Sequence, residues 1–514
     1  MHYSGPKMAM PFQVTKYDSV MLLDRGICSR ARLARDARFD GKFFIAVLTT
    51  KIYCRPICRS RTSKESNVQY FPSAAAAAEA GFRPCLRCHP ELSPRTPAYA
   101  GTRTTVTRAL RIINEAPLQD GIEALARRLG IGPRHLSRLF RRHLGASPNA
   151  VIQTRRLQFA KKLIDETNLP MTQIALASGF GSVRRFNDAI RDVYDRTPSL
   201  IRRSARKVPR EPENRYTFHL SYRPPYDWER LLDFIAAHAI AGLEYVDGNV
   251  YRRSISVDRR CGYIEVLQSK SRDELEVRVQ IDEPRFLFFI IERVRAVFDL
   301  DADWAEIART LESDPVLGHF VSSYPGLRVP GCWDGFELTA RTILEQQKGS
   351  AKPDLVTDLV KAFGEPFTRA EGLTHLFPTP DALAFANLET VGISKKHAVS
   401  IRALSRAVCN QQLSFEKIAD CNLLRSQLSL LPGIGKRTVQ WVAMRAMQDP
   451  DAFPLLDPDD ARTLAFRSLN ELKERAMAWS PWRAYATLYL LSFVDQIKRR
   501  NYIIYANTPR HLEL

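Results

Sequence analysis

Four cysteines fall in one 35-residue window, as Cys54-Arg55-Pro56-Ile57-Cys58 and Cys85-Leu86-Arg87-Cys88. The spacings are CxxxC and CxxC, with 26 residues between the pairs. Two close pairs joined by a loop can bring four sulfurs to one tetrahedral centre, which suits Zn²⁺. The other five cysteines (Cys28, Cys261, Cys332, Cys409 and Cys421) are scattered, and nine is an odd number. That argues against a disulfide framework and for a local metal site in a reducing compartment. Lys51, Arg55, Arg59, Arg61, Lys64, Arg83 and Arg87 crowd the window. Positive surroundings favour thiolates and attract phosphate. By spacing alone the zinc is structural or reactive.

A second constellation lies near the other end. Leu431-Pro432-Gly433-Ile434-Gly435-Lys436-Arg437-Thr438 has the form of a helix–hairpin–helix turn. Its glycines permit a tight turn, and the next helix begins with free backbone N–H groups. Those donors and the helix dipole hold a DNA phosphate without reading sequence, so Gly433, Gly435, Lys436 and Thr438 are expected at DNA. Asp457 lies 22 residues past Gly435, with Asp459 and Asp460 close behind. Trp441 and Trp482 offer electron-rich rings that could stack on a flat or cationic group, or serve as ordinary core.

Between these sites the pattern is one of short amphipathic helices rich in Arg and Leu. Residues 121–131 read as a helix ending in a glycine turn, and 133–142 as a second helix. Pro133 suits its first turn, and Arg134, Arg138, Arg141 and Arg142 occupy its polar face. The pattern recurs at 171–181 and 182–194, with Arg184 and Arg185 near the start of the second helix. A recognition helix presents its N-terminal residues to base edges in the major groove. Asp188, Asp192 and Asp195 suggest that the far end of the second helix faces away from phosphate.

The elements positioning these groups must form several domains, because 514 residues exceed one ordinary domain. Residues 1–200 hold 33 Lys+Arg against 15 Asp+Glu, while 201–514 hold 43 against 41. A basic excess packed into the first two fifths fits phosphate neutralisation. No apolar run reaches the ~18–20 residues of a membrane span, and residues 1–11 lack the core of a secretory signal. A cytoplasmic protein is expected.

Specific motifs carry resemblances to known families. The run Arg35-Asp36-Ala37-Arg38-Phe39-Asp40-Gly41, then Tyr53-Cys54-Arg55-Pro56-Ile57-Cys58 and Gly81-Phe82-Arg83-Pro84-Cys85-Leu86-Arg87-Cys88, resembles the N-terminal domain of the Ada family. That resemblance implies one zinc on Cys54, Cys58, Cys85 and Cys88, with Cys54 accepting a methyl group from a DNA methylphosphotriester. A zinc tetrathiolate carries a formal charge of −2 and becomes −1 when one ligand is methylated, which lowers repulsion from DNA. Lys51 stands where the family usually has glycine. The two helical units, closing at Ser147-Pro148 and Thr197-Pro198, resemble the AraC-type DNA-binding domain. No Pro-Cys-His-Arg sequence occurs, so direct repair at guanine oxygen is not expected.

The C-terminal half resembles the AlkA-type 3-methyladenine DNA glycosylase through LPGIGxxT, Pro330-Gly331-Cys332-Trp333-Asp334-Gly335-Phe336-Glu337 and Trp479-Ser480-Pro481-Trp482-Arg483-Ala484-Tyr485-Ala486. The family's catalytic aspartate corresponds to Asp457, with Asp459 and Asp460 as fallbacks; Asp334 reads as a helix cap or salt-bridge partner. Bifunctional relatives carry a Schiff-base lysine where Arg437 stands, so monofunctional hydrolysis without a cofactor is implied. Arg437 replaces a tryptophan, Glu345 a glycine and Lys348 a valine of the usual pattern.

The expected architecture is multidomain and mostly α. It comprises a small α/β zinc domain (1–97), an all-α double helix-turn-helix domain (98–207), an α+β AlkA N-terminal-like domain (213–328) and an all-α helix–hairpin–helix glycosylase domain (329–500). The expected function is DNA alkylation-damage response and repair on alkylated and promoter double-stranded DNA. A monomer that engages RNA polymerase is expected. The competing reading is an alkylation-sensing activator with a degenerate glycosylase half.

Overall fold

The computed structural model describes residues 24–94, 105–115, 121–205, 212–347, 354–415, 421–464 and 466–507. The expected linker around 208–213 and the break at 93–97 fall largely outside these residues, as does Lys348.

The zinc unit is a four-stranded sheet in the order Val68–Phe71, Phe44–Val47, Ile52–Cys54, Arg83–Pro84, flanked by the helices Arg25–Ala34 and Ala74–Glu79. Ser73 caps the second helix, its Oγ accepting from Ala76 N at 3.0 Å. The last strand pairs in parallel with Ile52–Cys54, so the two cysteine pairs emerge side by side.

Both helix-turn-helix units form as the periodicity requires. In the first, Gly121–Arg128 precedes Pro133–Leu144; in the second, Met171–Ala177 precedes Val183–Tyr194. Leu136 and Phe140 in one recognition helix, and Phe186 and Ile190 in the other, are fully buried at four-residue spacing, leaving the arginine face outside. The 19-residue helix Pro148–Glu166 joins the units.

The units do not keep separate cores. Val151 and Ile152 pack with the first unit and with Ala75 and Ala76 of the zinc unit. Leu157, Phe159, Ala160, Leu163 and Ile164 pack with the second unit and with the next domain's sheet. Polar contacts reinforce this docking. Lys42 pairs with buried Asp303 at 2.7 Å, Arg223 Nε donates to Asp40 O at 2.8 Å, and Arg83 pairs with Asp195 at 2.8 Å. The last pair accounts for one of the three acids on the second recognition helix.

The third block is α+β. Its antiparallel sheet runs Arg215–Ser221, Glu274–Gln280, Arg260–Gln268, Val250–Val257, Glu244–Asp247, with Trp228–Ala237 and Leu287–Val297 packed on it. The fourth block is helical around one large core. It departs from the all-α expectation in one place, an antiparallel ribbon Pro366–Ala370/Leu373–His375. Thr374 N donates to Gly242 O at 2.7 Å, so the ribbon is held against the neighbouring block. Residues flanking the expected 328/329 boundary are packed: Leu327, Arg328 and Val329 are all buried. Arg253 of the sheet reaches Glu337 of helix Gly335–Leu344, tying the two blocks together. No described helix is long and apolar enough to cross a membrane.

Candidate zinc centre and nucleic-acid interface

The four sulfurs of Cys54, Cys58, Cys85 and Cys88 all lie within 4.8 Å of one another. Zn–S bonds of about 2.3 Å in tetrahedral array require S···S separations of about 3.8 Å, so the cluster fits zinc. Main-chain donors face the sulfurs: Arg55 N to Cys88 Sγ and Arg87 N to Cys85 Sγ, each at 3.4 Å. Hydrogen bonding with Cys54 pushes Cys58 well below the ordinary thiol range and Cys85 down to about 6. Bonding with Cys58 pushes Cys54 up, and bonding with Cys54 pushes Cys88 up. Thiols this close cannot all ionise without a cation among them. Exposure does not single out Cys54, since Cys58 and Cys88 are likewise partly exposed.

Behind the cluster, Arg55 is buried and its Nε donates to Asp40 Oδ1 at 2.9 Å. Sequence reasoning left Asp40 without a role, although it closes the quoted Arg35–Gly41 run. Lys51, where glycine is usual, adopts φ +56°, the left-handed backbone that favours glycine. Its ammonium lies 5.3 Å over the Phe82 ring. A cleft of about 1530 Å³ opens beside Cys88, lined also by Arg59, Arg87, Arg196 and Arg278.

Arg134, Arg138, Arg184 and Arg185 are exposed on their recognition helices. Arg138 Nη2 is 2.9 Å from His135 Nδ1, and the Ser182 hydroxyl caps Val183–Tyr194 by accepting from Arg185 N.

The hairpin connects the helices Cys421–Ser429 and Lys436–Arg445. Gly433 has φ +76°, and a Cβ there would meet Ser400 Oγ at 2.1 Å. Gly435 is the N-cap and brings no side chain to the helix end. The N–H groups of Gly435, Lys436, Arg437 and Thr438 thus have no intrahelical acceptor. Lys436 is exposed. Thr438 presents its backbone N–H at this end, while its side chain has a second role. Its side chain is buried and its Oγ1 accepts from Gln346 Nε2 at 2.6 Å, which ties the hairpin helix to the turn that follows Gly335–Leu344.

Asp457 is the N-cap of helix Pro458–Thr463 and is exposed. The segment carrying it is fixed from two sides. Gln440 Oε1 accepts from Phe453 N at 3.1 Å, and Arg483 forms two 2.7 Å bonds to Asp451. Hairpin helix, acidic segment and the Trp482 turn are therefore one assembly; neither Gln440 nor Asp451 is marked by any motif. Trp441 and Trp482 are partly buried against the helical core, and Trp482 meets Tyr485 edge-on at 5.9 Å. Asp459 pairs with Arg462, and Asp460 is buried. Asp334 caps Gly335–Leu344, accepting from Glu337 N at 2.9 Å, as the sequence suggests. The guanidinium of Arg437 pairs directly with the Asp457 carboxylate. Glu345 is answered by Arg341 at 3.1 Å.

Comparison with known proteins agrees with this layout. Residues 27–91 match the metal binding domain of Ada, 125–204 a helix-turn-helix domain and 217–334 the AlkA N-terminal domain. Over 480 residues the chain is 37% identical to a probable bifunctional transcriptional activator/DNA repair enzyme AlkA of Mycobacterium tuberculosis, covering 91% of this chain and 96% of that protein. It is 29% identical to DNA-3-methyladenine glycosylase 2 of Escherichia coli over 282 residues, 53% of this chain and 96% of that one. The bifunctional transcriptional activator/DNA repair enzyme Ada of Escherichia coli is 39% identical over 149 residues, 29% of this chain and 40% of that one. The chain belongs to the family of bifunctional transcriptional activator/DNA repair enzymes AlkA, a zinc- and DNA-binding regulator joined to a DNA glycosylase.

Proposed function

We propose that the protein repairs alkylated DNA at two separate places and uses the first as a sensor. At the first, Cys54 accepts a methyl group from a DNA methylphosphotriester. Cys54, Cys58, Cys85 and Cys88 would hold the zinc, which keeps sulfur deprotonated and nucleophilic at neutral pH. Arg55, braced by Asp40, fixes the loop that carries the nucleophile. Attack of the Cys54 sulfur on the methyl carbon forms a thioether and leaves a phosphodiester. The centre loses one unit of negative charge, and DNA is repelled less. Arg134, Arg138, Arg184 and Arg185 then hold promoter DNA through the two recognition helices. RNA polymerase would be engaged by the bound monomer in the cytoplasm, at the nucleoid.

At the second, the hairpin N–H groups from Gly435 onward, with Gly433 shaping the turn and Lys436 adding charge, clamp a backbone phosphate. An alkylated base leaves the stack and rests against Trp441 and Trp482. Asp457 faces the deoxyribose and stabilises the positive charge that develops as the N-glycosidic bond breaks. A cationic purine is a good leaving group, so water completes the hydrolysis. Arginine at 437 cannot form a Schiff base, so strand cleavage is not expected. The observation that carries this half is the exposed Asp457 carboxylate, in contact with Arg437 of the hairpin helix, on a segment that Gln440 and Arg483 anchor through Phe453 and Asp451. Incubation with methylphosphotriester DNA should add one methyl mass to the Cys54 peptide, and duplex containing 7-methylguanine should yield free base and an abasic site. Methylation with no base release would favour the other reading, an activator with a silent glycosylase half, for which Arg437 lying on Asp457 is the supporting observation. The methyl acceptor would occupy residues 1–97, the promoter-binding unit 98–207, and the excision half 213–328 and 329–500.

A further inference from the structure

Arg437 is the second residue of the helix that opens the phosphate-binding turn, and its guanidinium lies on Asp457. Both side chains are open to water, at 43% and 57% exposure. An exposed pair of this kind is weak and easily exchanged. The pairs that anchor the surrounding structure are more enclosed: Arg475 with Asp314 is 27% and 6% exposed, and Arg483 with Asp451 is 26% and 18% exposed, whereas the neighbouring surface pair Arg462–Asp459 is open like Arg437–Asp457. The pair Arg483–Asp451 and the Gln440–Phe453 bond anchor the segment that leads to Asp457 independently of Arg437.

A guanidinium also binds phosphate oxygens in the same forked geometry it uses for carboxylates. One arginine thus stands between two anions, a carboxylate of its own chain and the DNA backbone that the adjoining turn receives. While it rests on Asp457, the carboxylate's charge is already answered and does little for a developing sugar cation.

We propose that Arg437 is an exchangeable counter-ion of Asp457, transferred to a DNA phosphate when duplex engages the hairpin, so that its positive charge leaves the carboxylate at the moment a nucleotide is presented. Arg437 is then a positioning residue that makes backbone engagement a condition of base release. The inference rests on reading Asp457 as the acid of the glycosylase site.

The test uses the full chain and a duplex carrying one tetrahydrofuran abasic analogue but no promoter sequence. Affinity is measured across salt concentrations for wild type, Arg437→Gln and Arg437→Lys. Each phosphate contact contributes about 0.9 to the slope of log affinity against log salt. Arg437→Gln should flatten the slope by about that amount, and Arg437→Lys should restore it, which a merely structural arginine would not do. A slope unchanged in Arg437→Gln would overturn the proposal, because the arginine then never reaches phosphate. Base release by Asp457→Asn is followed separately. If that variant still releases 7-methylguanine at the wild-type rate, the reading of Asp457 itself falls, whatever the slopes.

Discussion

Phe159 of the helix Pro148–Glu166 meets Phe288 of the helix Leu287–Val297 edge to face, with ring centroids 5.0 Å apart and planes at 84°. Both rings are buried, so the regulator and the glycosylase half share apolar core as well as a chain. Phe→Ala changes in such sites cost about 3–5 kcal/mol. Phe288→Ala should therefore lower the melting temperature of the helix-turn-helix block together with that of the sheet domain. If only the sheet domain's transition moves, the contact does not couple the halves.

The zinc centre should survive purification at one zinc per full-length chain, by elemental analysis. Replacing Cys85 and Cys88 together with serine removes half of a four-thiolate set and should abolish that zinc. Retention of one equivalent in the double variant would mean that the metal sits elsewhere.

Asp457→Asn keeps the shape of the side chain and removes its charge. Losing one preorganised charge typically costs about 10²–10³ in rate. Single-turnover release of 7-methylguanine should fall by that factor while duplex binding is kept or strengthened. Asp459→Asn, on an exposed acid paired with Arg462, serves as the control and should change release little. If Asp460→Asn abolishes release instead, the acid is the buried residue one turn along.

Asp299 gives a pH-dependent prediction. Burial pushes its carboxyl up to about 6 from 3.8, against the pull of Arg328 and of the Tyr485 hydroxyl at 2.7 Å. A raised carboxyl binds more protons in the folded state, so its stabilising contribution is present below pH 3.8 and is lost as pH rises through 6. A shift of this size corresponds to roughly 3 kcal/mol. Asp299→Asn does not titrate, so its stability relative to wild type should improve between pH 4.5 and 7, by at most about that amount. Urea midpoints at the two pH values would measure it, and a difference independent of pH would contradict the assignment.

The parts that were legible in the sequence are the local ones. Cysteine pairs three and four residues apart declare a metal site because neighbours in sequence stay neighbours in space. The glycines of the hairpin do so because a positive φ, found at Gly433, leaves few alternatives. The Thr438 side chain shows the limit of that locality: the motif marks its backbone N–H but not the bond its hydroxyl accepts from Gln346, 92 residues away. The counter-ion of Asp457 was hidden because Arg437 invites an argument about what replaced a tryptophan, not about what it touches across 20 residues. Contacts between blocks were not legible at all. Nothing near Lys42 points to Asp303, since a buried ion pair spanning about half of the chain leaves no periodicity.

The helix Pro148–Glu166 belongs to two interiors at once, Val151 and Ile152 to one and Leu157 to Ile164 to the other. For anyone building chimeras, the seam of this molecule therefore runs through the middle of that helix. A cassette exchanged at either end of the regulatory block would carry off half of a neighbour's interior. Sensor and excision machinery would then be inherited together, and a graft succeeds only if the donor supplies both faces of the shared helix.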